Sequence, residues 1–196
     1  IPYRVLDGDA EAAAEAGRWA AGEAFNRSGP VVLLVRKGAF DKAEQKRAGR
    51  SADNLLGRED AIGIVTEALP KASTIVSTTG MISRELYEQR LRLEQDRASD
   101  FLTVGSMGHA SQIALGIAIT RPDQPVVCLD GDGAVLMHMG GMATIGARAP
   151  KHFLHIVLNN GAHDSVGGQP TIAFDVSLTE IAKACGYANV VGPLEG

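Results

Sequence analysis

Residues 126–170 read VVCLDGDGAVLMHMGGMATIGARAPKHFLHIVLNNGAHDSVGGQP, and two apolar runs within them decide the fold. Val126–Leu129 and Phe153–Leu158 lack polar alternation and carry β-branched residues, the pattern of strands buried on both faces of a parallel sheet. Each run is expected to end in a short polar loop, Asp130-Gly131-Asp132-Gly133 after the first and Asn159-Asn160-Gly161-Ala162 after the second. In open α/β sheets ligands bind beyond the carboxyl ends of the strands, so both loops face one crevice. The loops offer a carboxylate at Asp132, a side-chain amide oxygen at Asn160 and free backbone carbonyls. Such a hard, oxygen-only set suits magnesium held partly by the phosphates of a ligand. Gly131 and Gly133 let the backbone approach a phosphate, and a helix expected from near Ala134 aims its N–H groups at it.

A lone Gly-Asp-Gly also serves as an ordinary turn, and an Asn pair can simply close a strand. The longer constellation is more specific. A strand precedes each loop, a helix lies between them, and Asn160 follows Asp132 by 28 positions (132 to 160). It resembles the Gly-Asp-Gly…Asn-Asn signature of thiamine diphosphate enzymes. The resemblance implies Mg²⁺ held by Asp132, the Asn160 side chain and the Ala162 carbonyl, with the cofactor's diphosphate bound through the metal. Gly105-Ser106-Met107-Gly108 resembles the loop that holds the aminopyrimidine in that family. There the Gly105 carbonyl would meet the 4′-amino group, and Met107 would be the large apolar wedge that bends the cofactor. Taken without the resemblance, Met107 reads as a core residue. Thr79 and Gly80 would contact the diphosphate through hydroxyl and N–H, and Gly133 and Ala134 through N–H groups at a helix start.

The wording of the loops, GSMGHASQ and NNGAHDSVGGQPT, is similar to that of the phosphonopyruvate decarboxylases. Sulfopyruvate decarboxylases form a near branch, with acetolactate-synthase-like carboligases as a further alternative. The resemblance implies thiamine diphosphate-dependent decarboxylation of a small 2-oxo acid, here 3-phosphonopyruvate. It also implies a homo-oligomer with the cofactor at its interface. The glutamate that activates the pyrimidine ring in this family has no assignable counterpart in the 196 residues. From a different class, a non-catalytic magnesium–diphosphate-binding domain is the alternative, although no full Gly-x-x-x-x-Gly-Lys-Ser/Thr loop occurs.

Composition narrows the class further. A hydrophobic content of 45% and a charged content of 21% are ordinary for a globular chain able to bury a core. The formal net charge of −4 leaves no basic excess to neutralise phosphates, which argues against nucleic acid as the main partner. Cys128 and Cys185 form no Cys-x-x-Cys pair, so no disulfide framework or zinc site is expected, and Cys128 reads as a core residue. No apolar stretch approaches transmembrane length and Ile1-Pro2-Tyr3-Arg4 is no signal peptide, so a cytoplasmic setting away from membranes is expected. The start at Ile1 and the stop at Gly196 suggest a piece of a longer polypeptide.

Read in order, residues 1–40 look like the closing unit of an upstream α/β domain. Asp9 caps an Ala-rich helix running to Arg27, Trp19 anchors it, and Val31–Val35 is expected as a buried strand. By the resemblance this is the end of a pyrimidine-binding domain. Residues 41–57 are polar and aperiodic and read as a linker, with a solvated surface helix as the alternative. Residues 58–196 read as the diphosphate domain, lacking its last strand and any terminal helix. The fold class is α/β, a parallel sheet with helices on both faces. Helices are expected over Glu59–Leu69, Ser83–Leu93 (its charges mostly solvated) and His109–Thr120, and from a Ser177–Glu180 capping box to about Cys185. Strands are expected over Ser73–Ser77, Phe101–Val104 and Asn189–Val191. Of the five histidines, His152 reads as solvated and His138 and His155 as packing residues. His109 and His163 sit on loops and either face a substrate or bond locally, and Ser165 is a candidate anion contact.

Overall fold

Residues 1–40 and 56–194 are described by the computed structural model. The chain divides into two compact units, Ile1–Lys46 and Arg47–Gly196. The expected linker lies outside the described residues apart from Leu56 and Gly57.

In the first unit, β1 (Tyr3–Leu6) and β2 (Val32–Val35) pair in parallel across α1 (Ala10–Arg27). Asp9 caps α1, its carboxylate accepting from the Glu11 N–H at 3.0 Å. Three expectations are corrected here. Tyr3–Leu6 forms a strand that its sequence did not announce. β2 is largely exposed rather than buried, because within this unit a two-stranded sheet meets only one helix. Trp19 is half-buried rather than a core anchor, with the Arg4 guanidinium 4.4 Å from its ring centroid in a cation–π contact.

The second unit is a four-stranded parallel sheet. Its elements run α2 (Arg58–Ala68), β3 (Thr74–Ser77), α3 (Met81–Arg92), β4 (Asp100–Leu102), α4 (Ala110–Thr120) and β5 (Val126–Gly131). There follow α5 (Asp132–Met137), α6 (Gly140–Arg148), β6 (Phe153–Leu158), the short antiparallel pair β7 (Ala162–His163) and β8 (Gln169–Pro170), and α7 (Leu178–Ala184). The strand order is β4-β3-β5-β6. Alternation along the strands divides the apolar runs between two layers. Ile75, Val127 and Leu129 pack with Ile62 of α2 and with Ile82 and Leu86 of α3. Val76, Val126 and Cys128 pack with Ala110, Ala114 and Ala118 of α4, whose small side chains let that helix lie close to the sheet. A third cluster joins Val135 of α5, Met142 of α6 and Ala182 of α7.

The order in which strands are added reverses between β3 and β5. The connection from β3 goes outward to β4, and that from β5 goes to β6 on the other side, so the carboxyl ends of β3 and β5 flank the topological switch point. Here the expected Asp130–Gly133 loop is corrected. β5 runs through Gly131, and Asp132 is already the first residue of α5. The one helix expected after it breaks into two at His138 and Met139, where Gly140-Gly141 gives poor helix propagation. Residues 189–191 form no strand, and Val190 packs instead against the α5–α7 cluster.

The charged helix α3 also departs from a solvated face. Arg90 donates through Nε and Nη2 to both oxygens of Asp100 on β4, at 3.0 and 3.1 Å. The Asp100 side chain is 3% exposed, and burial holds its carboxyl above the usual value despite the Arg90 bonds. Replacing Arg90 with Ala would leave that carboxylate buried and unpaired, a loss of about 3–5 kcal/mol at neutral pH. Because the folded-state value is raised, the loss should shrink as pH falls from neutral towards about 3, below both the raised folded value and the unfolded value of about 3.9, where both states carry the proton. Urea unfolding of Arg90→Ala at both pH values checks this, and an equal loss at each would contradict it.

Candidate functional site

The carboxyl end of the sheet gathers the strand-end segments into a connected rim. Ser83, in the first turn of α3, donates to the Thr78 carbonyl at 2.7 Å and lies 2.8 Å from the Ser77 hydroxyl. Thr103, just past β4, donates its hydroxyl to the Ser77 carbonyl at 2.8 Å. These bonds use buried polar groups to lock the 78–80 and 103–108 segments onto the end of β3.

Thr79 is half-exposed and its hydroxyl donates to the Val104 carbonyl at 2.7 Å. The hydroxyl without a partner is that of the neighbouring, buried Thr78. Gly80 starts α3 at φ +97°, and a Cβ there would stand 2.9 Å from Ser165 Cβ, so the 164–166 turn sits directly against the start of that helix. Gly105 and Ser106 are exposed and Met107 is half-buried. Gly108 takes φ +86°, where a Cβ would meet the Ala134 carbonyl oxygen at 2.8 Å and His138 Cδ2 at 2.5 Å. The Gly105–Gly108 loop is therefore pressed onto α5. His109 caps α4, with Nδ1 3.2 Å from the Ser106 carbonyl and its ring centroid 4.2 Å from that of His138. His138 is exposed, which corrects the packing role expected of it.

Asp132 is 2% exposed, and its Oδ2 accepts from the Thr171 hydroxyl. A Cβ on Gly133 would stand 2.4 Å from His163 Cε1, which puts the half-buried His163 ring across the first turn of α5. Ala134 is fully buried. Asn160 is exposed, and Ala162 and its N–H join it in a tight turn, with Ala162 N donating to Asn160 Oδ1 at 3.1 Å. A cleft of about 340 Å³ opens beside this rim, lined by Gly133, Met137, His163, Thr171 and Ile172 among others. The larger hollow, about 560 Å³, lies around Arg121–Pro125 at the opposite end of the sheet, away from these loops.

Behind the rim, Asp130 Oδ2 lies 3.3 Å from His155 Nε2, and His155 Nδ1 lies 2.9 Å from the Tyr187 hydroxyl. The His155 and Asp130 side chains are 2% and 1% exposed. His155 is thus the satisfied packing residue that its strand position implied. Burial pushes the Tyr187 phenol and the neighbouring Cys128 thiol upward, which leaves both neutral and inert.

Two observations bear on whether this rim fits a magnesium-bound diphosphate. The buried Asp132 carboxylate has the neutral Thr171 hydroxyl as a hydrogen-bond partner, and a cation bound beside it would offset the cost of burying its charge. The orphaned Thr78 hydroxyl stands at the adjacent strand end, where an unmet buried group costs about 1–3 kcal/mol. A hard cation with anionic oxygens satisfies both, so the residues fit.

Residues 78–192 match the family of thiamine pyrophosphate enzymes, at their C-terminal TPP binding domain. The chain belongs to the thiamine pyrophosphate enzyme family. Within that family it is 47% identical over 144 residues to phosphonopyruvate decarboxylase of Streptomyces viridochromogenes, covering 74% of this chain and 34% of that protein. It is 40% identical over 134 residues to sulfopyruvate decarboxylase subunit beta of Methanocaldococcus jannaschii, covering 68% of each. Among solved structures, the thiamine diphosphate-dependent 4-hydroxybenzoylformate decarboxylase of Rhodococcus jostii RHA1 superposes with a TM-score of 0.55 at 16% identity. That match covers 84% of this chain and 36% of the other, and it bears on the fold. The chain thus spans about a third of the phosphonopyruvate decarboxylase it resembles. No helix among the described residues is long and apolar enough to cross a membrane.

Sequence reasoning missed Thr78, Thr171, Asp164 and Arg58. Thr171 meets Asp132 across 39 positions and Arg58 meets Asp164 across 106, spacings that carry no periodic signal. The close seat of Gly108 on the Ala134 carbonyl makes one consequence measurable. Gly108→Ala would place a side chain in left-handed backbone and against an oxygen that belongs to the helix start. It should lower stability by about 1–3 kcal/mol and weaken thiamine diphosphate binding as well. Denaturant unfolding and calorimetry on the full-length protein check both, and a variant as stable as wild type would refute the assigned contact.

Proposed function

We propose that this chain supplies the diphosphate- and magnesium-binding domain of a decarboxylase that converts 3-phosphonopyruvate to phosphonoacetaldehyde and CO₂. The observation that carries the reading is the 47% identity over 144 residues to a phosphonopyruvate decarboxylase. When bound, thiamine diphosphate supplies the electron sink for the carbon–carbon bond that breaks. The protein's share is to bind, orient and exclude water.

In this reading Asp132, Asn160 Oδ1 and the Ala162 carbonyl hold Mg²⁺. The N–H groups of Gly80, Gly133 and Ala134 receive the diphosphate, joined by the threonines at 78 and 79. Since the Thr79 hydroxyl already serves Val104, the free hydroxyl in this pair is that of Thr78. Gly105 and Ser106 form the aminopyrimidine loop, and the half-buried Met107 is its apolar wedge. His109, beside His138, and His163, across Gly133, are the imidazoles available to hold a proton near a small 2-oxo acid. The acid that activates the cofactor's pyrimidine ring comes from outside these 196 residues. Residues 1–40 belong to the end of the pyrimidine-binding domain, residues 41–57 link it to the diphosphate domain, and the full protein is a cytoplasmic homo-oligomer with the cofactor at a subunit interface.

A sulfopyruvate substrate is the second reading, favoured by the extent of the match, which takes in 68% of a sulfopyruvate decarboxylase beta subunit.

Asp132→Ala removes the one charged ligand proposed for the metal. Calorimetry of magnesium and thiamine diphosphate with the full-length protein should then show cofactor affinity falling at least about 10-fold. Wild-type affinity in that variant would remove Asp132 from the site. The substrate is decided by CO₂ release from phosphonopyruvate, sulfopyruvate and pyruvate under saturating cofactor, with the highest kcat/KM expected for phosphonopyruvate. A clear preference for sulfopyruvate would replace the first reading with the second.

A further inference from the structure

The Asn160 amide is held by two partners that admit one orientation. Its Oδ1 accepts from the Ala162 N–H at 3.1 Å, while its Nδ2 donates to Asp164 Oδ2 at 2.8 Å. A backbone N–H can only donate and a carboxylate can only accept, so the reversed amide would set N–H against N–H and oxygen against oxygen. Asp164 is itself fixed. Its Oδ2 accepts from Arg58 Nη1 at 3.1 Å, and Arg58 donates through Nε and Nη2 to the two Glu85 oxygens, each at 2.8 Å. The Glu85 and Asp164 bonds hold the guanidinium above even its usual high value, so its charge is permanent.

These partners stand on rigid elements. Arg58 opens α2 and Glu85 lies on α3, whose start carries the Gly80–Ser165 contact. The turn between the two proposed ligand groups is equally constrained. Gly161 sits there at φ +67°, with Phe174 Cε2 2.2 Å from where its Cβ would stand.

We propose that Asp164, clamped by Arg58, is a positioning residue that fixes the Asn160 amide so that Oδ1, and not Nδ2, is the atom offered to Mg²⁺. The proposal rests on the reading of Asp132, Asn160 and Ala162 as the metal's ligands. Outer partners of this kind set the orientation of a metal's direct ligands, and their loss typically costs about 10- to 100-fold in metal affinity. Oδ1 keeps a second lone pair after serving Ala162, so the turn and the metal do not compete for it. Losing Asp164 removes one of the two penalties on a flipped amide, leaving the Ala162 N–H to hold Oδ1, while the backbone of the turn stays held by Gly161 and Phe174.

The test is a calorimetric titration of Mg²⁺ into the full-length protein premixed with thiamine diphosphate. Asp164→Ala should raise the magnesium Kd by about 10- to 100-fold. Asp164→Asn, which keeps an oxygen for Asn160 Nδ2 but carries no charge, should recover most of that affinity. If Asp164→Ala binds magnesium as wild type does, the clamp has no role. If Asp164→Asn is as weak as Asp164→Ala, the residue acts through its charge, and the orienting proposal is overturned. Asp132→Ala, run alongside, separates the two levels of the argument. Unchanged affinity there defeats the metal-ligand reading itself, whereas loss there with none at Asp164 defeats only the clamp.

Discussion

The parallel pairing of β3 with β5 is the constraint on which the rest of this structure depends. Its register sets Thr74 to Ser77 against Val126 to Leu129, and beyond it the chain from β3 crosses to β4 on one side while that from β5 crosses to β6 on the other. Ile75, Val76, Val126, Cys128 and Leu129 are all fully buried. Burial of each large aliphatic side chain contributes about 1.5–3 kcal/mol, against about 1 kcal/mol net for a typical hydrogen bond. The apolar contacts on both faces therefore hold the pair together, while the hydrogen bonds fix its register. A slip of one residue would exchange the α3 layer with the α4 layer and bring Leu and Ile against the small residues of α4. It would also move Asp132 out of line with Thr78.

That arrangement explains why polar groups accumulate so densely at one end. A strand buried on both faces cannot let its terminal carbonyls reach water, so they must find partners within the protein. Ser83 and Thr103 meet the carbonyls at the end of β3, and Asp130 uses its own Oδ1 to accept from the Gly131 N–H at 3.0 Å. With these bonds made, the Thr78 hydroxyl is still without a partner among the described residues, and the buried Asp132 carboxylate meets a neutral hydroxyl. The carboxyl end is thus complete as a scaffold and incomplete as a binding surface, the condition expected of a preorganised site.

How far the sequence disclosed this depended on the range of each signal. The parallel strands β5 and β6 were legible because their apolar runs are continuous. Only β5 is buried on both faces as expected, since β6 lies at the sheet edge, half-buried with Leu154 exposed. The Ser177 cap was legible because its bond to the Glu180 N–H is local. The short rise from β5 into α5 was not, since Gly-Asp-Gly reads as a turn until the strand is seen to continue through Gly131. Tyr3–Leu6 carries no alternation that would mark a strand, and its partner lies beyond an 18-residue helix. Asp132 and Asn160 could be singled out as candidates because each follows a recognisable apolar run. Thr171 and Arg58 act through contacts made only by folding, so no spacing could have pointed to them.

The same distinction separates the two buried polar chains near the site. Asp130 and His155 are almost without solvent, the half-buried Tyr187 follows them, and each member is satisfied by the next. Such a chain adds specificity to the β5–β6 pairing, since an aliphatic pair at 130 and 155 would fill the space equally well without fixing the strand end. The chain from Glu85 through Arg58 to Asp164 runs instead over the rim, and Asp164 remains 47% exposed. Solvent weakens the Coulombic part of that pair, so its value lies in the direction of its hydrogen bonds. One chain therefore holds the floor on which Asp132 stands, and the other orients Asn160 above it. The site is rigid where the sheet supports it and depends on side-chain geometry where the sheet ends.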